Sequence, residues 1–150
     1  MEIILRPINN EDISLLYKWL NSPDSLKGKI QTKNQVSFSD HSIWFKNKLK
    51  EKTTHIWIIE NHKNFPLGQI RFENKVADYL DVDIYLIKRA RAKGIAQKAF
   101  KMVEKLINKS ILRAEVKKNN IVSYNFFINC EFKILSEDTT KWIFIKNNNN

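Results

Sequence analysis

Residues 81–96, Asp81-Val-Asp-Ile-Tyr-Leu-Ile-Lys-Arg-Ala-Arg-Ala-Lys-Gly-Ile-Ala96, constrain the fold more than any other stretch of this chain. Val82, Ile84 and Leu86 alternate with Asp81, Asp83 and Tyr85, the two-residue period of a strand. From Ala96 onward the apolar residues move to helical spacing, at Phe100, Val103, Leu106 and Ile107. Between the two periods stand Arg89, Arg91, Lys93 and Gly94. A helix N-terminus presents unpaired N–H groups and a partial positive charge. With a glycine that lets the backbone approach closely, strand, basic turn and helix of an α/β protein read either as a cradle for phosphate or as a plain basic helix cap.

The rest of the chain reads as an ordered series of elements. Glu2–Arg6 is a strand closed by Pro7, and Asn9 or Asn10 caps a helix whose apolar face is Ile13, Leu16, Tyr17 and Leu20. Residues 24–37 form a polar loop containing Gly28, after which Ser39 caps a second helix, Asp40 to about Lys50, with Ile43, Trp44 and Leu49 inward. Strands follow at His55–Glu60, at Pro66–Glu73 and at the segment ending in Leu86. A third helix spans Gly94 to Asn108, a strand Ile111–Val116, then a short fourth helix and two strands, Phe132–Leu135 and Lys141–Lys146. Residues 1–146 make one domain, and 147–150 a frayed polar tail.

Composition narrows the partners. The formal charge of +10 favours anionic ligands, whether nucleic acid, coenzyme A or nucleotide-linked sugars. The basic residues are dispersed, and no nucleic-acid-binding signature is present, so nucleic acid is not expected as a partner. No apolar run is long enough to cross a bilayer, and neither a membrane partner nor a signal peptide is expected. Cys130 is the single cysteine, so the chain forms no internal disulfide and the expected setting is the cytoplasm. His41, His55, His62 and Cys130 lack zinc-ligand spacing, so no metal is expected. Cys130 itself reads as a small buried apolar residue near a helix end.

Arg91-x-x-Gly94-x-Ala96 resembles the Arg/Gln-x-x-Gly-x-Gly/Ala signature of the GNAT N-acetyltransferases. Other landmarks of that family stand in order: Leu5-Arg6-Pro7 before a helix, then the Leu112–Val116 strand ahead of Asn120-x-x-Ser123-x-x-x-Phe127-x-x-x-x-Phe132. The resemblance implies a GNAT-like α/β fold: a central mixed, mostly antiparallel sheet of about seven strands flanked by four helices. It also implies acetyl-CoA as cofactor. The pyrophosphate would lie on the backbone of Arg91, Ala92, Lys93, Gly94, Ile95 and Ala96, with Asn120 and Phe127 also in the cofactor site. A backbone N–H near Leu86 or Ile87 would meet the thioester oxygen. Two residues depart from the family pattern. Glu131 stands where a glycine usually ends the helix, and Phe127 where many relatives carry a tyrosine that reprotonates the departing thiolate. Tyr124 is a weak substitute, because it lies on a neighbouring face of the same helix.

Strand parity organises the other half of the site. Gln69, Arg71 and Glu73 share one face of their strand, and Asp81, Asp83 and Tyr85 share one face of its antiparallel neighbour. These charges are either cross-strand pairs or working groups. In the second case Asp83 or Glu73 accepts the proton of the attacking amine, and Arg71 contacts an anionic group of the acceptor. Thr32-Lys33, Phe38, His41 and Trp44, with Leu67-Gly-Gln-Ile-Arg71-Phe72, are similar to bacterial enzymes that acetylate nucleotide-linked aminodeoxysugars, as in pseudaminic acid synthesis. That similarity makes His41, Trp44 and Arg71 acceptor-binding residues and His41 a further catalytic candidate. The partner it implies is a small anionic molecule, a UDP- or dTDP-linked amino sugar for surface glycans, taken by a monomer or homodimer. Two other readings stay open: a protein N-terminus or lysine as acceptor, and a basic nucleic-acid-binding module.

Overall fold

Strands Ile3–Pro7 (β1), His55–Asn61 (β2), Pro66–Glu73 (β3), Tyr79–Leu86 (β4), Ile111–Lys117 (β5), Lys133–Glu137 (β6) and Lys141–Asn147 (β7) form one sheet in the order β1-β2-β3-β4-β5-β7-β6. These and all features below come from a computed structural model that describes residues 2–23, 35–76, 78–107 and 111–148. Among the described residues the α-helices are Ile13–Leu20 (α1), Phe38–Lys50 (α2), Ile95–Glu104 (α3) and Ile121–Asn129 (α4). Neighbouring strands are antiparallel throughout, except β4 and β5, which α3 connects in parallel.

That parallel pair is short. It comprises Tyr79↔Ile111, Leu80↔Leu112 and Asp81↔Arg113 and then ends. On its other edge β4 stays paired with β3 from Asp81 to Leu86. The sheet therefore opens between β4 and β5 along the last residues of β4.

The two sheet faces carry different cores. Ile70, Phe72, Leu80, Val82 and Leu112 meet Ala99, Phe100 and Val103 of α3 on one face, where Phe72 stacks on Phe100 at 6.2 Å and Phe100 lies tilted against Phe132 at 5.6 Å. On the other, Ile58 meets Leu16, Trp19 and Phe45 of α1 and α2. Burial of such side chains contributes roughly 1.5–3 kcal/mol each, which binds helices to sheet.

Local signals match the expected elements with shifts at their ends. Asn9 caps the first helical turn: its side chain accepts from Glu11 N, and Asp12 returns a bond from Asn9 N. Arg6 ties this turn to β2, donating to both oxygens of Asp12 at 2.8 Å and to Glu60 at 2.9 Å. Burial works to raise the Asp12 carboxyl, but the bonds from Arg6 and Asn9 outweigh it and hold it below the usual carboxylate range. The cap of α2 is Ser37, which accepts from Asp40 N, rather than Ser39. The fully buried positions of α2 are His41 and Phe45, Trp44 and Leu49 pack beside them, and Ile43 is 60% exposed instead of inward. The third helix ends at Glu104, short of Asn108, because Leu106 N and Ile107 N bond carbonyls three residues back and tighten the exit. Strand β7 reaches Asn147, and Asn148 donates to Glu104 O and Ile107 O, so these two residues belong to the fold rather than to a frayed tail. Gly28, Thr32 and Lys33 lie outside the described residues.

Candidate active site

The loop after β4 is built for close approach. A single 3-10 turn, Lys88–Ala90, leads into Arg91, and buried Ala90 and Ile95 anchor the loop on both sides. Ala92 has φ 59° and Gly94 φ 75°, so the chain turns twice through left-handed conformations before α3 begins. A Cβ at Gly94 would project into open space. The first N–H groups of α3 have no partner within the helix, and no acidic residue occupies its first turn. Arg91–Ala96, the segment singled out in the sequence, thus joins two left-handed turns to a helix N-terminus without a side-chain cap, a local geometry that suits an anion. The Arg91 side chain instead turns back: Nε donates to Leu86 O at 2.9 Å, and the guanidinium sits 5.7 Å from the Tyr85 ring centre. An open cleft of about 460 Å³ borders the loop, with Lys63, Lys93 and Arg89 on its walls and Arg89 4.2 Å above the Phe65 ring.

Backbone register singles out one peptide of β4. Ile87 N donates to Leu67 O at 2.8 Å, which engages that N–H with β3. Successive residues of a strand direct their backbone groups to opposite edges. The N–H of Leu86 is therefore turned to the edge where β4 and β5 have parted. Gly68 stands opposite Leu86, and a Cβ there would lie 2.0 Å from Tyr85 O and 2.9 Å from Leu86 Cα. A glycine inside a strand is a sequence signal for such an approach.

Helix α4 faces the same opening from beyond β5. Asn120 caps it, accepting from Ser123 N at 3.1 Å. Gln97 of α3 donates to Asn129 O at 3.4 Å, linking the two helices. Phe127 is 4% exposed and packs on Phe126, Phe132 and Phe144 with ring centres 4.9, 5.0 and 5.7 Å away. Tyr124 packs on Trp142 and Phe144. Glu131 occupies the left-handed helix exit, φ 69°, with Phe132 N bonding Phe127 O and Glu131 N bonding Ile128 O. Cys130 beneath is buried, and burial pushes its thiol up to about 11, leaving an inert sulfur.

On the α1/α2 face of the sheet lies a chain of charges. Lys48 reaches Glu73 Oε2 at 2.7 Å, and Arg71 Nε lies 3.0 Å from Glu73 Oε1. The second contact is off the N–H direction and is ionic rather than a hydrogen bond. Arg71 also donates to Asp83 Oδ2 at 2.9 Å, and its guanidinium lies 5.2 Å from the Trp44 ring centre. Farther along, Arg113 pairs with Asp81, whose carboxyl burial raises against the pull of Arg113. Cross-strand pairing of Arg71 with carboxylates is thus present. Register separates the two candidate bases. Glu73 pairs with Asp81, five residues from Leu86, whereas Asp83 is three residues from it. At about 3.4 Å per residue this puts Glu73 roughly 17 Å and Asp83 roughly 10 Å along the strand from the open peptide. Both oxygens of Glu73 are engaged, and the Asp83 side chain is 39% exposed.

His41 differs from its expected place at a cleft mouth: it is 1% exposed. Core positions of α2 fall at 41, 45 and 49, and a histidine at the first of them is covered by Tyr17, Phe38, Trp44 and Phe45. Nε2 bonds Ile13 O at 3.0 Å, joining α2 to α1, and burial lowers its proton affinity below the ordinary imidazole range. Trp44 and Arg71 lie together, with His41 stacked behind Trp44 at 5.7 Å. No signal in the sequence distinguishes Lys48, which fixes Glu73, from its neighbouring lysines; only the helical register does.

A turn suited to phosphate, an inward N–H on a parted strand, and carboxylates on the opposite face can hold two reactants across β4. A sequence model of the acetyltransferase (GNAT) domain matches residues 2–133. The chain is 24% identical over 135 residues to acetyltransferase PseH of Campylobacter jejuni, covering 87% of this chain and 83% of that one. A solved domain from Methanocaldococcus jannaschii superposes with a TM-score of 0.79 at 22% identity, over 97% of this chain and 98% of the other. Spermidine N-acetyltransferase from Vibrio cholerae, in complex with CoA and spermine, superposes with 0.82 at 11% identity, over 97% and 95%.

Proposed function

This chain belongs to the GNAT acetyltransferase family, and on that footing we propose that it acetylates the amine of a nucleotide-linked amino sugar. The chain is an acyltransferase, and acetyl-CoA is its cofactor. The cofactor supplies an acetyl group activated as a thioester. The loop fits it: Gly94 offers open space where a side chain would stand, beside helix N–H groups with no acid nearby. In this reading the backbone of Arg91, Ala92, Lys93, Gly94, Ile95 and Ala96 binds pyrophosphate, while Asn120 and Phe127 border the arm that enters between β4 and β5.

Leu86 N–H donates to the carbonyl oxygen as negative charge develops on it. Asp83, closer to that peptide than Glu73, accepts the proton of the acceptor amine, directly or through water. Phe127 has no hydroxyl and supplies no proton; Tyr124 is packed against Trp142, so a water or the acceptor ammonium provides it. His41 supports Trp44 from behind instead of exchanging protons.

The observation that carries the acceptor class is the Arg71 guanidinium lying against Trp44 on the face opposite the cofactor opening. A fixed guanidinium grips phosphate, and an indole offers a surface for a base or sugar ring. The +10 charge also disfavours polycationic acceptors. The test is a panel of UDP- and dTDP-linked amino sugars, spermidine, and lysine and N-terminal peptides, with thiol release from acetyl-CoA as readout. Turnover is expected with the nucleotide sugars and to weaken in Arg71→Ala; turnover confined to spermidine or peptides contradicts the proposal.

A further inference from the structure

Gln69 is 6% exposed, and its Oε1 is buried with no hydrogen-bond partner among the described residues. Buried acceptors of this kind are uncommon, because leaving one unsatisfied is costly. The other polar residues of β3 on this face, Arg71 and Glu73, are both paired. Gln69 stands between Ile58 of β2 and Tyr85 of β4, on the face that carries Trp19, Trp44 and Asp83. The preceding residue of β3, Gly68, is opposite Leu86. Gln69 is therefore the polar side chain of β3 nearest the open peptide, and cross-strand neighbours lie only about 5 Å apart.

We infer that Gln69 is an acceptor-binding residue whose Oε1 takes a hydrogen bond from the amino group that is acetylated. An amine brought to the Leu86 peptide from the α1/α2 side meets Gln69 before it meets Arg71. The amide holds the amine by one N–H without competing for the proton, and leaves proton transfer to Asp83. The inference rests on the assignment of Leu86 as the reacting end of β4.

The test uses Gln69→Met, which keeps length and volume but removes the acceptor, and Gln69→Glu, which restores one. The substrate is a UDP-linked amino sugar or, if wild type does not turn it over, whichever amine of the panel wild type acetylates. Failure of the sugar assignment and failure of this inference are then read separately. In Gln69→Met we expect acetyl-CoA affinity and thermal stability at or above wild type, with acceptor kcat/KM lowered about 10–100-fold. Gln69→Glu should retain more acceptor kcat/KM than Gln69→Met. Wild-type kcat/KM in Gln69→Met overturns the inference. So does a fall in its stability with the same acceptor kcat/KM in Gln69→Met and Gln69→Glu, since the amide would then be serving the fold. If Gln69→Met does not fold, Gln69→Glu decides alone: acceptor kcat/KM within reach of wild type supports the inference, and a loss as large as that of an acetyl-CoA-binding defect refutes it.

Discussion

Replacing Gly68 with alanine should disturb the reacting end of β4 more than any other single added methyl. The new Cβ would stand 2.0 Å from Tyr85 O, where nonbonded carbon and oxygen normally rest about 3.3 Å apart. The obstructing atoms are backbone, so β3 and β4 must separate by about 1 Å. That strains the 2.8 Å bond from Ile87 N to Leu67 O. Overpacking costs about 1–3 kcal/mol and the lost bond about 1 kcal/mol, so a loss near 3 kcal/mol is expected. For a chain of this length that lowers Tm by about 6–12 °C. A displacement of about 1 Å at the Leu86 peptide should also lower kcat by about 100-fold. Differential scanning fluorimetry and steady-state kinetics below the lowered Tm measure both. Wild-type stability and turnover in Gly68→Ala would refute the tight β3–β4 approach and the role given to Leu86.

Three further outcomes follow from named geometry. Glu131→Gly should raise Tm by about 2–4 °C, since a side chain at φ 69° costs about 1 kcal/mol; an unchanged or lower Tm contradicts the strain. His41 is held below its ordinary 6.5 by burial, so the unfolded chain binds more protons than the native one and stability must fall as pH drops through 6.5. His41→Phe should flatten that slope, leaving the part due to His55, which burial also lowers; an identical slope in the variant rejects it. Phe127→Ala should lose about 4 kcal/mol through the cavity left among Phe126, Phe132 and Phe144, whereas Phe127→Tyr should keep turnover near wild type if the ring borders the cofactor arm. A large rate gain in the tyrosine variant would mean that an acid was simply missing there.

The contrast between what the sequence conveyed and what it concealed has physical causes. Strand alternation through Leu86 and helical spacing after Gly94 reflect one-sided burial, which periodicity reports directly, so the α/β architecture and the loop were legible. The glycine-to-glutamate departure at 131 was legible too, because its left-handed exit follows from the helix ending there. Helix α2 was harder. Its core stripe carries His41, and a histidine breaks an apolar pattern while still filling a core position through its bond to Ile13 O. Of the residues expected inward, Ile43, Trp44 and Leu49, the last two do pack on this core, while Ile43 is exposed and His41 stands inside. Parity placed Gln69, Arg71 and Glu73 on one face, yet only the register with β4 distinguishes the residue beside Leu86 from the one five residues away. The parting of β4 from β5 leaves no trace in either strand's composition.

Titration of acetyl-CoA into wild type and Gly94→Glu, followed by calorimetry, tests the central claim most directly. At φ 75° the glutamate costs about 1 kcal/mol, so the variant should still fold, as circular dichroism would verify. Its carboxylate would project into the open space of the loop and displace at least two hydrogen bonds to a charged group, lowering affinity by about 100-fold. Equal affinity in the two folded proteins would contradict the account.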